Sequence, residues 1–182
     1  MKKFFHFTQF LMLGLALMFM GGCQPIAAPA NNASSAKTYA DPFAYCAAVG
    51  TIDAPDASYT GEKMPESILK GLVEKGVVTA DAPAEIQAHA TWRCMDSQVW
   101  VCHYGANIPC DTKADTSQTP TAGMDEFCKA NANSDFIPAV ATGRATVYNW
   151  LCKDGKAVVG KQILDADAQG YLAQFWYELS AP

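Results

Sequence analysis

Cysteine is the residue type in this chain best able to do chemistry, and the spacing of the cysteines favours disulfides. There are seven of them: Cys23, Cys46, Cys94, Cys102, Cys110, Cys128 and Cys152. Without Cys23, which is treated separately below, six remain, and an even number in an exported protein is typical of a disulfide framework. Seven residues separate Cys94 from Cys102 and Cys102 from Cys110, whereas zinc ligands are usually about two to four residues apart. We predict no metal site and no cofactor.

The other residues that could do chemistry form no catalytic pattern. After residue 22 only two histidines remain, His89 and His103, and there is no Gly-x-Ser-x-Gly nucleophile motif. Residues 165–170 resemble the opening of a calcium loop, but its twelfth position is Trp176, where a bidentate Glu is required. We therefore predict no catalytic residue.

The N-terminal residues have the organisation of an export signal. Lys2 and Lys3 precede an uncharged stretch over residues 10–20, which has the length of a signal-peptide core and is short for a membrane span. The stretch ends in the motif Met20-Gly21-Gly22-Cys23. This motif resembles the lipobox of bacterial lipoproteins, although Met20 replaces the usual Leu. The resemblance implies cleavage before Cys23, which then carries lipid at the new N-terminus.

The resemblance divides the chain into three parts. Residues 1–22 are a predicted signal peptide, and residues 23–40 are the lipidated cysteine and a flexible tether rich in Ala, Pro, Asn and Ser. Residues 41–182 are a predicted single domain. Because two or more acyl chains give stable attachment, we expect a protein anchored to the cell membrane or envelope and facing outside the cytoplasm. In bacteria with two membranes, Gln24 implies the outer one.

The charge of the exported part argues against nucleic acid as a partner. From Cys23 onward there are 11 basic and 18 acidic residues, a net charge of −7, and Arg93 and Arg144 are the only arginines. No basic patch is present, so nucleic acids and other polyanions are disfavoured. The negative charge also fits ordinary solubility.

An internal repeat indicates how the domain is built. Residues 92–101 and 150–159 both contain Trp-x-Cys-x-Asp followed by an apolar triplet. An aromatic residue and a cysteine precede each motif, at residues 45–46 and 127–128. We interpret residues 41–110 and 121–182 as two copies of a unit in which a helix precedes a hairpin. A symmetric unit predicts the disulfides Cys46–Cys94 and Cys128–Cys152, which leaves Cys102–Cys110.

The turn sequences fix the predicted hairpins. Asp154-Gly155 is a strong signal for a two-residue type I′ turn, and Asp96-Ser97 is a weaker one at the matching place. A two-residue loop makes Cys152 face Ala157 and Cys94 face Val99. It also places Trp92 and Trp150 on the buried face, and pairs Arg93 with Trp100 on the opposite face.

Helices are predicted from caps and apolar spacing. Asp41 and Pro42 begin one that runs to about Ala48, residues 65–75 form a second that ends at Gly76, and residues 124–130 form a third capped by Thr121. Residues 160–164 extend a strand, residues 171–179 form a last strand, and residues 111–120 are a polar loop. The fold class is therefore α+β: a small antiparallel β-rich domain with short helices, two units that pack together, and three disulfides.

We interpret the domain as a non-catalytic binding or structural module of the cell envelope, with an unknown protein or glycan as ligand. Its aromatic residues could stack on sugars or form the core. The hairpin register favours Trp100 and Tyr104, near Arg93 and residues 102–110, as the contact surface, and we expect this to be the most exposed aromatic surface.

Two alternatives remain open. The Trp-x-Cys-x-Asp-Gly hairpins resemble those of bacterial lysozyme-inhibitor lipoproteins over about ten residues per unit, which implies inhibition of a host or competitor hydrolase. The other alternative is a cell-wall-active hydrolase with an acidic site at Asp96 or Asp154, although both aspartates also suit turns. A cleft with two carboxylates within about 10 Å would favour the hydrolase.

The lipid anchor predicts the behaviour of a single variant. Replacing Cys23 by Ala removes the thiol that carries the lipid, so Cys23→Ala protein should leave the membrane fraction or accumulate as an uncleaved precursor. Membrane fractionation with immunoblotting, beside the wild-type protein, measures both. A Cys23→Ala protein that still matures and sediments with membranes would contradict the lipoprotein interpretation.

Overall fold

The computed structural model describes residues 37–105 and 107–182. The predicted signal peptide, Cys23 and most of the predicted tether lie outside the described residues. The α-helices are α1 Pro42–Val49, α2 Glu66–Glu74, α3 Ala84–Gln87, α4 Ala122–Ala130 and α5 Ala139–Thr142. The strands are β1 Ala90–Met95, β2 Gln98–His103, β3 Tyr148–Lys153, β4 Lys156–Gln162 and β5 Tyr177–Leu179. They form a three-stranded sheet in the order β1-β2-β5 and the two-stranded sheet β3-β4, which confirms the α+β fold class.

Both predicted hairpins are present in the predicted register. Cys94 faces Val99 and Arg93 faces Trp100, while Cys152 faces Ala157. The two central residues of each turn have positive φ, 53° and 65° at residues 96–97 and 50° and 77° at residues 154–155. Both turns are therefore type I′.

The predicted helix caps also form. Asp41 accepts a hydrogen bond from the Ala44 N–H at 2.7 Å, and Thr121 accepts one from the Met124 N–H at 3.3 Å. These side chains satisfy N–H groups that lack partners at the start of a helix. The helix predicted over residues 65–75 is α2, and Gly76 follows it with φ 68°.

The three predicted disulfides, Cys46–Cys94, Cys128–Cys152 and Cys102–Cys110, are present. In each half of the domain, one of them joins a helix to the first strand of a hairpin. The apolar clusters around these two bridges are separate, one containing Tyr45 and Trp92 and the other Met124 and Trp150. That the halves are copies of one unit stays a prediction.

The prediction of one strand over residues 171–179 is wrong. Residues Ala173–Phe175 form a 3₁₀ helix, and the strand is limited to Tyr177–Leu179. Tyr171 and Trp176 are five residues apart and would lie on opposite faces of a continuous strand. Instead both rings pack against Arg93, which requires a bend between them. The strand extension over residues 160–164 also stops early, since β4 ends at Gln162.

The disulfides should differ in their effect on stability according to the loop that each closes. Chain-entropy arithmetic for separations of 48, 24 and 8 residues gives about 4, 3.5 and 2.5 kcal/mol. Replacing both Cys46 and Cys94 by Ala should therefore lower the free energy of unfolding more than replacing Cys102 and Cys110. Urea unfolding of the two double variants measures the difference, and the reverse order would contradict the prediction.

Candidate functional site

The structure places Arg93, predicted as a surface contact residue, inside the protein. Arg93 lies on the face of β1 opposite Trp92, as expected, but that face is covered and Arg93 has 0% exposure. Its guanidinium carbon lies 4.4 Å from the ring centre of Tyr171 and 4.1 Å from that of Trp176. The C-terminal segment covers Arg93, so its side chain does not reach the surface as expected; its role in binding stays a prediction.

The two terminal guanidinium nitrogens of Arg93 are held by the segment that resembled a calcium loop. One guanidinium nitrogen forms an ion pair with Asp167, and another donates to Gln169 Oε1 at 2.7 Å. The other carboxylate oxygen of Asp167 accepts from the main-chain N–H groups of Gln169 and Tyr171 at 2.9 and 3.0 Å. Asp167 thus pairs with Arg93 through one carboxylate oxygen and binds the main chain of the following turn through the other.

A second cation continues this network toward the surface. Lys113 Nζ lies 2.6 Å from Asp53 Oδ2 and 2.6 Å from the main-chain oxygen of Gln169, and 3.7 Å from the ring centre of Tyr171. The Gln169 side chain also donates to Asp53 Oδ1 at 2.8 Å. The loop after α1 is in this way tied to the C-terminal segment.

Trp100 and Tyr104 are partly buried, so the prediction that they form the most exposed aromatic surface is wrong. They pack with Tyr171 and Trp176 around the Cys102–Cys110 disulfide. Among the phenylalanines, tyrosines and tryptophans of the described residues, Phe136 is the one with an exposed side chain, at 64%. Trp100 borders none of the surface grooves described below.

Tyr104 does line a groove, which we call the His89–Tyr104 groove. Its volume is about 440 Å³, and it is lined by His89, Tyr104, Gly105, Ile108, Pro109, Asp111, Thr112, Arg144 and Ala145. The rings of His89 and Tyr104 stack with centres 5.1 Å apart and planes 28° apart. The main chain fixes this pair, because the Tyr104 N–H donates to the His89 oxygen at 2.9 Å.

Sequence reasoning missed His89 and Arg144 as members of this groove. His89 directly precedes β1 and Tyr104 directly follows β2, so the register of the hairpin places them opposite each other. That signal was available before the structure. Arg144 lies more than 30 residues away in sequence, beside α5, and no local pattern connects it with Tyr104.

The groove combines an aromatic surface with one charge of each sign. Asp111 and Arg144 are exposed. Burial raises the pKa of Tyr104 above its ordinary value of 10.0, the charge of Asp111 adds to the rise, and a hydrogen bond with the Thr91 side chain opposes it. Tyr104 is thus a neutral phenol at physiological pH, able to stack and to hydrogen-bond.

Asp96 and Asp154, the acidic residues of the hydrolase alternative, lie at the tips of the two hairpins. Both are exposed and occupy the first central position of a turn. Their main-chain N–H groups donate to Thr51 Oγ1 and Asn133 Oδ1 at 3.0 and 3.1 Å. These positions suit a turn, and neither residue lines the His89–Tyr104 groove or any of four other clefts in the described parts of the chain.

Within the described part of the chain, no group of three or more His, Cys, Asp or Glu side chains is arranged to hold a metal ion. The helices described there are all too short or too polar to span a membrane. No family model, curated protein or solved structure matches the chain. The functional proposal therefore depends on the groove and on the sequence motifs.

The buried ion pair predicts a large effect of one substitution. Replacing Asp167 by Ala leaves the Arg93 charge buried without its counter-ion, which typically costs about 3–5 kcal/mol of unfolding free energy. Urea unfolding measures this cost. Glu66→Ala is the matched control, because Glu66 pairs with Lys70 at 3.4 Å on the exposed surface of α2, where ion pairs contribute little. Equal effects of the two substitutions would contradict the prediction.

Proposed function

We propose that this protein is a lipid-anchored, extracytoplasmic, non-catalytic binding module of the cell envelope, and that the His89–Tyr104 groove contacts its ligand. The observation that carries the proposal is the stacked pair of His89 and Tyr104 in one groove with Arg144 and Asp111, next to a loop closed by a disulfide. Rigid loops that present aromatic and charged side chains are a common form of binding site.

The composition of the groove favours a glycan as the ligand. The C–H faces of sugar rings pack against aromatic rings, and His89 is exposed while Tyr104 is partly buried. Arg144 can donate to hydroxyl or carboxylate oxygens in a bidentate manner, and Asp111 can accept from hydroxyl groups. A volume of about 440 Å³ lies within the usual range for small-ligand sites.

The environment of the histidines supports binding more than catalysis. His103 Nε2 donates a hydrogen bond to the main-chain oxygen of Ile86, 2.7 Å away. All six cysteines of the described residues are in disulfides and cannot act as nucleophiles. Three disulfides in a chain of this size also fit an oxidising compartment, which agrees with the export motif.

The proposal predicts selective loss of glycan binding in two variants. The probe is insoluble peptidoglycan, with bound protein measured after sedimentation. Tyr104→Ala removes the stacking ring and should weaken binding roughly ten-fold, which corresponds to about 1.4 kcal/mol, whereas Tyr104→Phe keeps the ring and should bind nearly as well. Arg144→Gln should also weaken binding, and Lys129→Gln, at an exposed cation outside the groove, is its matched control.

Two results would contradict the proposal. One is a wild-type protein that does not bind peptidoglycan in a saturable manner. The other is equal binding by the Tyr104→Ala and Tyr104→Phe variants, because ring stacking would then contribute nothing. Circular dichroism of each variant confirms that any loss of binding does not reflect unfolding.

A further inference from the structure

The outer edge of β1 is only partly paired. Main-chain groups along an antiparallel strand point alternately toward and away from the neighbouring strand. Cys94 exchanges two hydrogen bonds with Ile52, at 3.1 and 3.0 Å, so its main chain points away from β2. The same alternation directs the N–H and C=O of Trp92 outward, two residues earlier on the strand.

These main-chain groups of Trp92 have no partner among residues 37–105 and 107–182. Trp92 is nevertheless only 2% exposed, and its indole N–H is satisfied by the Lys63 oxygen at 3.0 Å. Buried main-chain donors and acceptors are paired in the great majority of cases. An unpaired donor and acceptor side by side at the edge of a strand is therefore the pattern of an unfilled ladder position.

No residue of the described chain fills the ladder position opposite Trp92 on the outer side of β1. In an antiparallel continuation of the Ile52–Cys94 pairing, residue 54 would stand opposite Trp92. The chain turns away at Asp53, whose carboxylate is held by Lys113 Nζ at 2.6 Å and by the Gln169 side chain at 2.8 Å. Pro55 follows and has no N–H to donate to a ladder.

A cleft occupies the vacated space, and we call it the β1-edge cleft. Its volume is about 340 Å³, and it is lined by Ala54, Pro55, Tyr59, Gly61, Lys63, Ala90, Thr91 and Trp92. Three of its five lining residues outside β1, Ala54, Pro55 and Gly61, are small. The Tyr59 ring packs edge-on against the Trp92 ring, with centres 4.9 Å apart, and both residues line the cleft.

We propose that the β1-edge cleft binds an extended peptide, one residue of which pairs with Trp92 by strand addition. The N–H and C=O that flank a single Cα point to the same side in an extended chain, so one peptide residue can satisfy both groups of Trp92. The acetamide of an amino sugar cannot, because its N–H and C=O point in opposite directions. The site thus differs in place and in ligand class from the His89–Tyr104 groove.

The test combines peptide selection with amide exchange. A phage-displayed random heptapeptide library is selected on the purified protein, and the selected peptide is titrated while hydrogen exchange of individual amides is followed by NMR. The Trp92 amide should exchange faster than that of Arg93, whose partner is Trp100, and should slow about ten-fold in the complex. Methylation of the main-chain nitrogen at one position of the peptide, that of the residue that pairs with Trp92, should abolish binding.

Two variants locate the binding. Ala54→Trp fills the cleft from an exposed position and should weaken peptide binding roughly ten-fold. Ala57→Trp, at an exposed position of the same loop outside the cleft, should leave it unchanged. Tyr104→Ala should also leave it unchanged, which separates this proposal from the glycan site.

Three outcomes would overturn the proposal. The library could yield no peptide with saturable binding, or the bound peptide could leave exchange of the Trp92 amide unchanged. The third outcome is binding that Ala54→Trp and Ala57→Trp reduce equally. The proposal is supported if the peptide slows exchange of the Trp92 amide in the wild-type and Ala57→Trp proteins but not in Ala54→Trp.

Discussion

The buried guanidinium of Arg93 is the constraint on which the rest of the domain depends. A charge without solvent contact is costly unless it is paired and hydrogen-bonded. The two terminal nitrogens of Arg93 meet this requirement with Asp167 and Gln169, and two aromatic rings cover the guanidinium, whereas Nε has no hydrogen-bond partner among the described residues. All of these contacts come from the C-terminal segment. That segment must therefore cross the sheet, and its last residues then pair with β2 as β5.

This crossing decides which surfaces remain accessible. The face of the first hairpin that carries Arg93 and Trp100 is covered, and the apolar cluster around Cys102–Cys110 includes Tyr171 and Trp176. The same segment holds Asp53 through Gln169 and so keeps the loop after α1 away from the edge of β1. The Arg93–Asp167 ion pair is therefore linked both to the covered face of the hairpin and to the open β1-edge cleft.

The parts of the fold that could be predicted are those encoded locally. Asp154-Gly155 and Asp96-Ser97 specify two-residue turns, and a turn of fixed length specifies every cross-strand pair that follows. The pairing of cysteines followed from the position of each within a helix or hairpin. The turns and the register need no knowledge of distant residues, whereas the disulfides were inferred by comparing two similar stretches of the chain. The structure has the predicted register, turns and disulfides.

The parts that failed depend on contacts between distant residues. Arg93 alternates with Trp92 and Cys94 along β1 and so lies on the face opposite to theirs. A charged residue at such a position has the sequence pattern of a surface residue. Nothing nearby shows that Asp167, 74 residues away, will bury it. The candidate site could likewise be predicted only where its residues are local. Tyr104 was identified from the hairpin, whereas Arg144 was missed because it comes from the other half of the domain.

The two proposed binding surfaces lie at the edge and beside the start of one strand, β1, which is held on both faces. Cys94 is fixed by the disulfide to α1 and by two hydrogen bonds with Ile52, and Arg93 is fixed by the C-terminal segment. Thr91 lines the β1-edge cleft, and His89, which directly precedes β1, lines the groove. A strand anchored on both faces can present ligand contacts at its edge and its end without the entropy loss of ordering them on binding.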